Sequence, residues 1–164
     1  MRAAILTISD RGARGEREDL SGPALATWVM ERGVQVAAAT LVADEVDEIA
    51  GAICNWADGK DVDLILTTGG TGVSPRDVTP EATVHVLDRL IPGLAEAMRA
   101  ASLQRTVMAA LSRGICGVRR NTLIINLPGS PKAAIENLQA IWEAIPHAVR
   151  KINGDPSDCA PTPR

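Results

Sequence analysis

Apolar residues fall along this chain in short blocks that alternate between two periods. Residues 3–8 and 62–68 are almost continuously apolar, the pattern of strands covered on both faces, and residues 34–42 read as a further strand. Between these blocks the spacing becomes helical. Ser21-Gly22-Pro23 reads as a helix start with Ser21 or Gly22 as cap; Leu25, Trp28 and Val29 form its apolar face and Gly33 ends it. Val46, Ile49, Ala50 and Ile53 recur at helical spacing behind Asp44, which reads as an N-cap, with Asp47 and Glu48 in the first turn, where the helix dipole favours them. Residues 58–61 read as a turn.

The second half continues the alternation. Thr79 is predicted to cap a helix running to about residue 89, Pro92-Gly93 to break it, and helix to resume over 94–103 and, briefly, over 106–111. Residues 115–118 and 122–127 read as two strands of a hairpin joined by Arg119, Arg120 and Asn121. Ser130 and Pro131 open one last long helix with Ile135, Leu138, Ile141 and Ile145 on its face. This order predicts an α/β fold, a three-layer sandwich with a mostly parallel central sheet and helices on both faces. Residues 1–152 are expected to form a single domain, followed by a frayed Pro-rich tail over 153–164.

Composition narrows the choice of partner. The chain has no Phe and no Tyr, so its core must be built from Ala, Val, Ile and Leu, with Trp28, Trp56 and Trp142 as the only aromatics. A net charge of −3 and this lack of stacking platforms argue against a nucleic-acid partner. Cys54, Cys116 and Cys159 show no zinc spacing and read as reduced thiols of a cytoplasmic protein. The first strand meets Asp10 too soon for a signal peptide, and no apolar run is long enough to cross a membrane.

The candidate chemistry is concentrated in residues 67–82, TTGGTGVSPRDVTPEA, where a buried strand runs into Gly69, Gly70, Thr71 and Gly72 and a helix opens shortly after. Glycines leave backbone N–H groups uncovered and admit positive φ, so such a loop can wrap an anion. Arg76 and Asp77 lie between loop and helix, in reach of a phosphate and a metal ion. Neither common nucleotide fingerprint fits: Pro75 stands where G-x-G-x-x-G requires glycine, and Gly59-Lys60 precedes Asp61 rather than Ser or Thr. Pro128-Gly129-Ser130-Pro131-Lys132 is a second strand-to-helix turn able to take an anion. Arg11 and Arg14, and the Ser112-Arg113-Gly114 segment, could add phosphate contacts or be solvated loop. Ser9-Asp10 with His85 or His147 makes no convincing triad. The residues by themselves leave a ligand-free glycine turn and a capping Asp44 or Asp77 open, and point otherwise to phosphoryl or nucleotidyl transfer.

The chain resembles the MogA/MoaB family of molybdenum-cofactor biosynthesis proteins through TISDRG…EDLSGPAL, LILTTGGTGVSPRDVTPEAT, the Pro92-Gly93 pair, LSRGICG and NLPGSPKA, in the family's order over nearly the whole length. The RDVTPEA continuation resembles the adenylyltransferase branch. The resemblance implies transfer of AMP from MgATP to the terminal phosphate of molybdopterin, with release of pyrophosphate. A carrier of the same fold that binds molybdopterin without turnover is the alternative. For the enzyme, the resemblance implies Asp77 and Asp44 as the catalytic carboxylates and Mg²⁺ ligands. It further implies Gly69, Gly70, Thr71 and Gly72 as a phosphate cradle, and Ser9, Asp10, Ser130, Pro131 and Lys132 as lining of the pterin and phosphate pocket. Arg76 is a phosphate contact in this reading. A homotrimer is implied, and handover of product to a molybdate-inserting enzyme.

Overall fold

The computed structural model describes residues 1–59 and 62–157. Its six strands are β1 (Arg2–Ile8), β2 (Gln35–Val42), β3 (Leu64–Thr68), β4 (Arg89–Leu90), β5 (Cys116–Arg119) and β6 (Thr122–Leu127). They form one sheet in the order β2-β1-β3-β6-β5-β4. β2, β1, β3 and β6 run parallel, while β5 is antiparallel to both β6 and β4. The sheet is mostly parallel because helices return the chain between its central strands; the β5–β6 hairpin supplies the reversal.

Alternate residues of a strand face opposite sides, and here both sides are covered. Ile5, Leu64, Leu66, Leu123 and Ile125 pack with α2 (Ser21–Met30), α5 (Pro92–Leu103), α6 (Pro131–Ile141) and α7 (Ala144–Ile152). Ala4, Leu6, Ile65 and Ile124 pack with α3 (Val46–Asp58) and α4 (Thr79–Val86). All five residues of β3 are buried, and each large aliphatic side chain so removed from water favours folding by roughly 1.5–3 kcal/mol. The three-layer expectation is met. Trp28 and Trp142 meet edge-on at 4.9 Å between α2 and the end of α6.

Several local expectations need correction. Asp44 is not the cap of α3; Glu45 is, and the Asp44 carboxylate turns instead to the Asp10 N–H. Thr79 lies inside α4, whose cap residue is Val78, because its hydroxyl donates to the Gly69 carbonyl at 2.9 Å. α4 stops at Val86, and Arg89–Leu90 joins the sheet edge as β4, since pairing with Val118 and Gly117 satisfies backbone that a longer helix would leave at the surface. Neither Ser21 nor Gly22 caps α2. Its backbone N–H groups at Ser21 and Gly22 are taken by the Asp19 carboxylate at 3.0 and 2.9 Å. The charged segment after β1 contains one helical turn, α1 (Asp10–Ala13), whose Ser9 cap accepts from the Gly12 N–H. The last long helix is two, α6 and α7, parted at Trp142 and Glu143. Lys60, Asp61 and residues 158–164, with part of the expected turn, Cys159 and most of the expected tail, lie outside the described residues.

The register brings three chain turns to one edge. Thr7 pairs with Thr68 and Thr68 with Leu127, so the segments that follow β1, β3 and β6 emerge side by side. From β1 the chain crosses to β2 on one side and later reaches β3 on the other. The crevice between β1 and β3 is therefore the switch point of the sheet, where open α/β folds bind ligands.

Candidate active site

The glycine loop begins at this switch point and is held from below. Gly69 N–H donates to the Leu127 carbonyl and Thr79 N–H to the Gly70 carbonyl. Thr68 Oγ1 donates to the Pro128 carbonyl at 2.7 Å, tying the loop to the turn after β6. Deeper still, Asn126 Nδ2 donates to Thr67 and Thr83 hydroxyls at 2.9 and 3.0 Å, and its Oδ1 accepts from the Ile115 N–H. This buried network fixes β3, β6, α4 and the start of β5 beneath the loop. Gly69 and Gly70 adopt φ of 106° and 62°, the left-handed region that glycine enters at little cost. A Cβ on Gly129 would lie 3.3 Å from Gly69 Cα, so the two glycine turns touch.

Above that base, the loop offers open donors. Among the described residues the backbone N–H groups of Gly70, Thr71, Gly72 and Val73 have no protein partner. Val73 is exposed, but Gly70, Thr71 and Gly72 are buried or half-buried, where N–H groups are ordinarily paired, and such a run of unpaired ones is able to take an anion. The first turn of α6 follows the turn after β6, and its N-cap residue Ser130 makes no side-chain cap bond.

Two carboxylates flank the loop. Asp77 Oδ2 accepts the Ser74 N–H at 2.8 Å, and Asp44 Oδ2 accepts the Asp10 N–H at 2.7 Å. In each the second oxygen, Oδ1, has no hydrogen-bond partner among the described residues. A Cβ on Gly70 would stand 3.0 Å from Asp44 Oδ1, and one on Gly72 would stand 2.9 Å from Asp77 Oδ2. The carboxylates thus press against the loop where only glycine leaves room. Burial, the largest cause, raises the Asp44 carboxyl above its ordinary value. The Asp10 N–H bond and Arg76 pull it back, while the charges of Asp10 and Asp77 push it up. A hard cation would relieve that repulsion. Two one-oxygen carboxylate ligands, with the other positions left to phosphates and water, is the donor set Mg²⁺ favours. The described residues contain no cluster of three or more such ligands.

Asp44 carries a testable consequence. An acid whose folded pKa is raised binds its proton more readily in the fold than in the unfolded chain. Stability is therefore lost as pH rises from the ordinary carboxylate range through the raised value. Asp44→Asn is expected to melt at a higher temperature than wild type at pH 7 without Mg²⁺. The gain should be at most about 1 kcal/mol, because water screens a part-buried group, and it should vanish toward pH 4. A lower melting temperature at pH 7 in thermal scans would overturn this account of the carboxylate pair.

Two cavities open on either side of the loop, of about 370 and 470 Å³. Gly70, Asp77 and Gly129 line both. The first also takes Ser9, Asp44, Gly69, Ser130 and Pro131. The second takes Thr71 and Gly72, and reaches Arg99, Met108 and Asn137. Most of the residues picked from sequence are therefore gathered at this edge. Lys132, Arg76 and Asp10 are placed differently. Lys132 is exposed and lines neither cavity. Arg76 is held by Asp10, at 2.9 Å through both Nε and Nη2, and by Glu45 at 2.7 Å. Asp10, paired in this way, is held below the usual carboxylate range by Arg76 first and by its bond from the Asp44 N–H second. Arg14 pairs with Glu16 at 2.8 Å.

Sequence reasoning missed Arg17 and Asp19, which line the first cavity, and the grip of Arg113 on the loop. Asp19 had a local signal, since an Asp just before Ser-Gly-Pro is a helix-start pattern. For Arg113, open between phosphate contact and solvated loop, no neighbouring residue signals that grip. Cys116 is buried in β5, and that burial pushes its thiol up to about 12.

A family model described as "Probable molybdopterin binding domain" matches residues 4–147. The chain belongs to this molybdopterin-binding domain family. Within it, the chain is 43% identical over 153 residues to the molybdopterin adenylyltransferase of Helicobacter pylori, covering 92% of this chain and 87% of that one. It is 46% identical over 155 residues to the Drosophila melanogaster molybdenum cofactor synthesis protein cinnamon; that match covers 93% of this chain and 26% of the longer protein. The crystal structure of a molybdopterin biosynthesis enzyme, MoaB, from Thermus thermophilus superposes with a TM-score of 0.88 at 52% identity, over 96% of this chain and 99% of that chain. The family membership accounts for the motif order along the sequence, and the doubly covered, mostly parallel sheet is the fold shared with the superposed MoaB structure.

Proposed function

We propose that this chain is a molybdopterin adenylyltransferase, moving AMP from MgATP to the terminal phosphate of molybdopterin. The observation that carries this reading is the run of open N–H groups on Gly70, Thr71 and Gly72, beside the free oxygens of Asp44 and Asp77, in a loop whose Gly70 and Asp77 line both cavities. With one cavity for each substrate, both phosphate ends would meet at the same loop. An oxygen of the terminal phosphate attacks the α-phosphorus of ATP. A new P–O bond forms as the bond from the α-phosphorus to the bridging oxygen breaks, and pyrophosphate leaves with that electron pair. The attacking phosphate is largely ionised at neutral pH, with its second pKa near ~6, so no general base is needed. The loop N–H groups and the α6 N-terminus hold the phosphates in line and stabilise the charge that develops on the leaving oxygen. Asp44 and Asp77 would hold Mg²⁺, which when bound supplies charge neutralisation between the two anions.

The H. pylori relative, matched over 87% of its length, bears the adenylyltransferase name and supports the enzyme reading. A second reading, a molybdopterin carrier without turnover, is kept by the family model, whose description names binding alone. Incubation with molybdopterin, ATP and Mg²⁺ separates them. The enzyme yields pyrophosphate and an AMP–molybdopterin adduct; a carrier binds molybdopterin and yields neither. By the same family logic we place the protein in the cytoplasm as a homotrimer that hands its product to a molybdate-inserting enzyme. No helix among the described residues is long and apolar enough to cross a membrane.

A further inference from the structure

Arg113 sits in the short connection between the 3₁₀ turn Val107–Leu111 and β5, and it lines neither cavity. Its backbone N–H donates to the Thr71 carbonyl at 2.9 Å. Its Nε donates to the Gly72 carbonyl at 2.6 Å and its Nη2 to the Asp77 carbonyl. The Glu81 carboxylate, on the first turn of α4, accepts from both terminal nitrogens. The connection is itself anchored, since Arg99 on α5 donates to the Gly114 carbonyl at 2.9 Å. One residue thus holds three carbonyls of the glycine loop and its Asp77 arm from behind.

In a trans peptide the C=O of one residue and the N–H of the next point in opposite directions. Carbonyls of Thr71, Gly72 and Asp77 drawn toward Arg113 turn the N–H groups of Gly72, Val73 and Val78 the other way. None of those three has a protein partner among the described residues. We propose that Arg113 is a positioning residue: it presets the glycine loop so that its N–H groups face the bound phosphates and Asp77 keeps its place beside them. It does not touch substrate, because its guanidinium is spent on protein acceptors. Lysine cannot replace it. One ammonium cannot span two carbonyls and a carboxylate that the planar fork meets together.

The proposal rests on the adenylyl-transfer reading, so the test carries a readout independent of turnover. Arg113→Lys is expected to stay folded, to lose about 100-fold in turnover, as displaced catalytic geometry does, and to bind inorganic pyrophosphate with Mg²⁺ about tenfold more weakly by calorimetry, since preorganisation is lost. Turnover of Arg113→Gly should recover in part on adding about 20 mM guanidinium, far below unfolding concentrations. Glu81→Gln, which leaves both carbonyl tethers in place, should keep turnover within about threefold of wild type, as for a surface ion pair. Wild-type turnover and pyrophosphate affinity in Arg113→Lys would overturn the proposal. So would equal damage from Glu81→Gln, or no guanidinium recovery in a folded Arg113→Gly. If wild type itself forms no adduct, the adenylyl-transfer reading fails, and Arg113 is judged on pyrophosphate affinity alone: unchanged affinity in Arg113→Lys then refutes it.

Discussion

Turnover of Asp77→Ala is expected to fall by about 10²–10³-fold with molybdopterin binding largely kept, a loss of the size seen when one stabilising group is removed from a developing charge. Asp77 lines both cavities, and the proposed function gives its free oxygen a role toward both substrates. Its other oxygen accepts the Ser74 N–H, however, and alanine would release that turn as well. Asp77→Asn separates the two roles. The amide keeps a carbonyl oxygen for Ser74 but loses the negative charge a cation requires. If charge is what matters, Asn and Ala variants lose similar turnover, and molybdopterin affinity, measured by fluorescence titration, stays near wild type in the Asn variant. Parallel loss of binding and turnover in both would instead make Asp77 a structural or pterin-binding residue.

Gly69→Ala should be the most destabilising single-methyl change at the site. A Cβ there would fall 2.2 Å from the Ile8 carbonyl oxygen and 3.2 Å from its carbon, at a φ of +106° that alanine avoids. Neither backbone can give way, because β1 and β3 are paired up to Thr7 and Thr68 on either side of the contact. Strain of this kind costs about 3 kcal/mol when added to a steric clash, and the melting temperature should drop by roughly 10 °C. Gly51, inside α3 with nothing within 4 Å of its virtual Cβ, is the control. There alanine should raise stability by about 0.5–1 kcal/mol. A Gly69→Ala protein melting with wild type would show that the loop's close approach to Ile8 is dispensable.

The edge of the sheet shows how the two levels of information divide. Strand identity was legible because β1, β3 and β6 are apolar on both faces, a pattern that only a doubly covered sheet satisfies. The glycine loop was legible as a candidate because three glycines just after such a strand leave N–H groups uncovered, although a ligand-free turn fits the same residues. Helix caps were read less well. Asp44 and Thr79 are both ordinary capping residues by type, and each is diverted by a partner far away in sequence, Asp10 for the first and the Gly69 carbonyl for the second. Arg76 was read as a phosphate contact because its sequence neighbours are loop and carboxylate; in the fold Asp10 and Glu45 reach it first.

The pair of aspartates came only with the family resemblance; from local patterns alone, the chain's sequence determined the α/β class, the three-layer arrangement and a glycine loop able to take an anion. These depend on periodicity, glycine freedom and residue type, all readable within a few positions. Tertiary structure decided how the pieces meet. It set the register that brings the turns after β1, β3 and β6 to one edge, the two cavities that share Gly70, Asp77 and Gly129, and the hold of Arg113 on Thr71, Gly72 and Asp77. Those contacts join residues tens of positions apart, and which of several available partners each polar group takes depends on the folded backbone that brings them within reach.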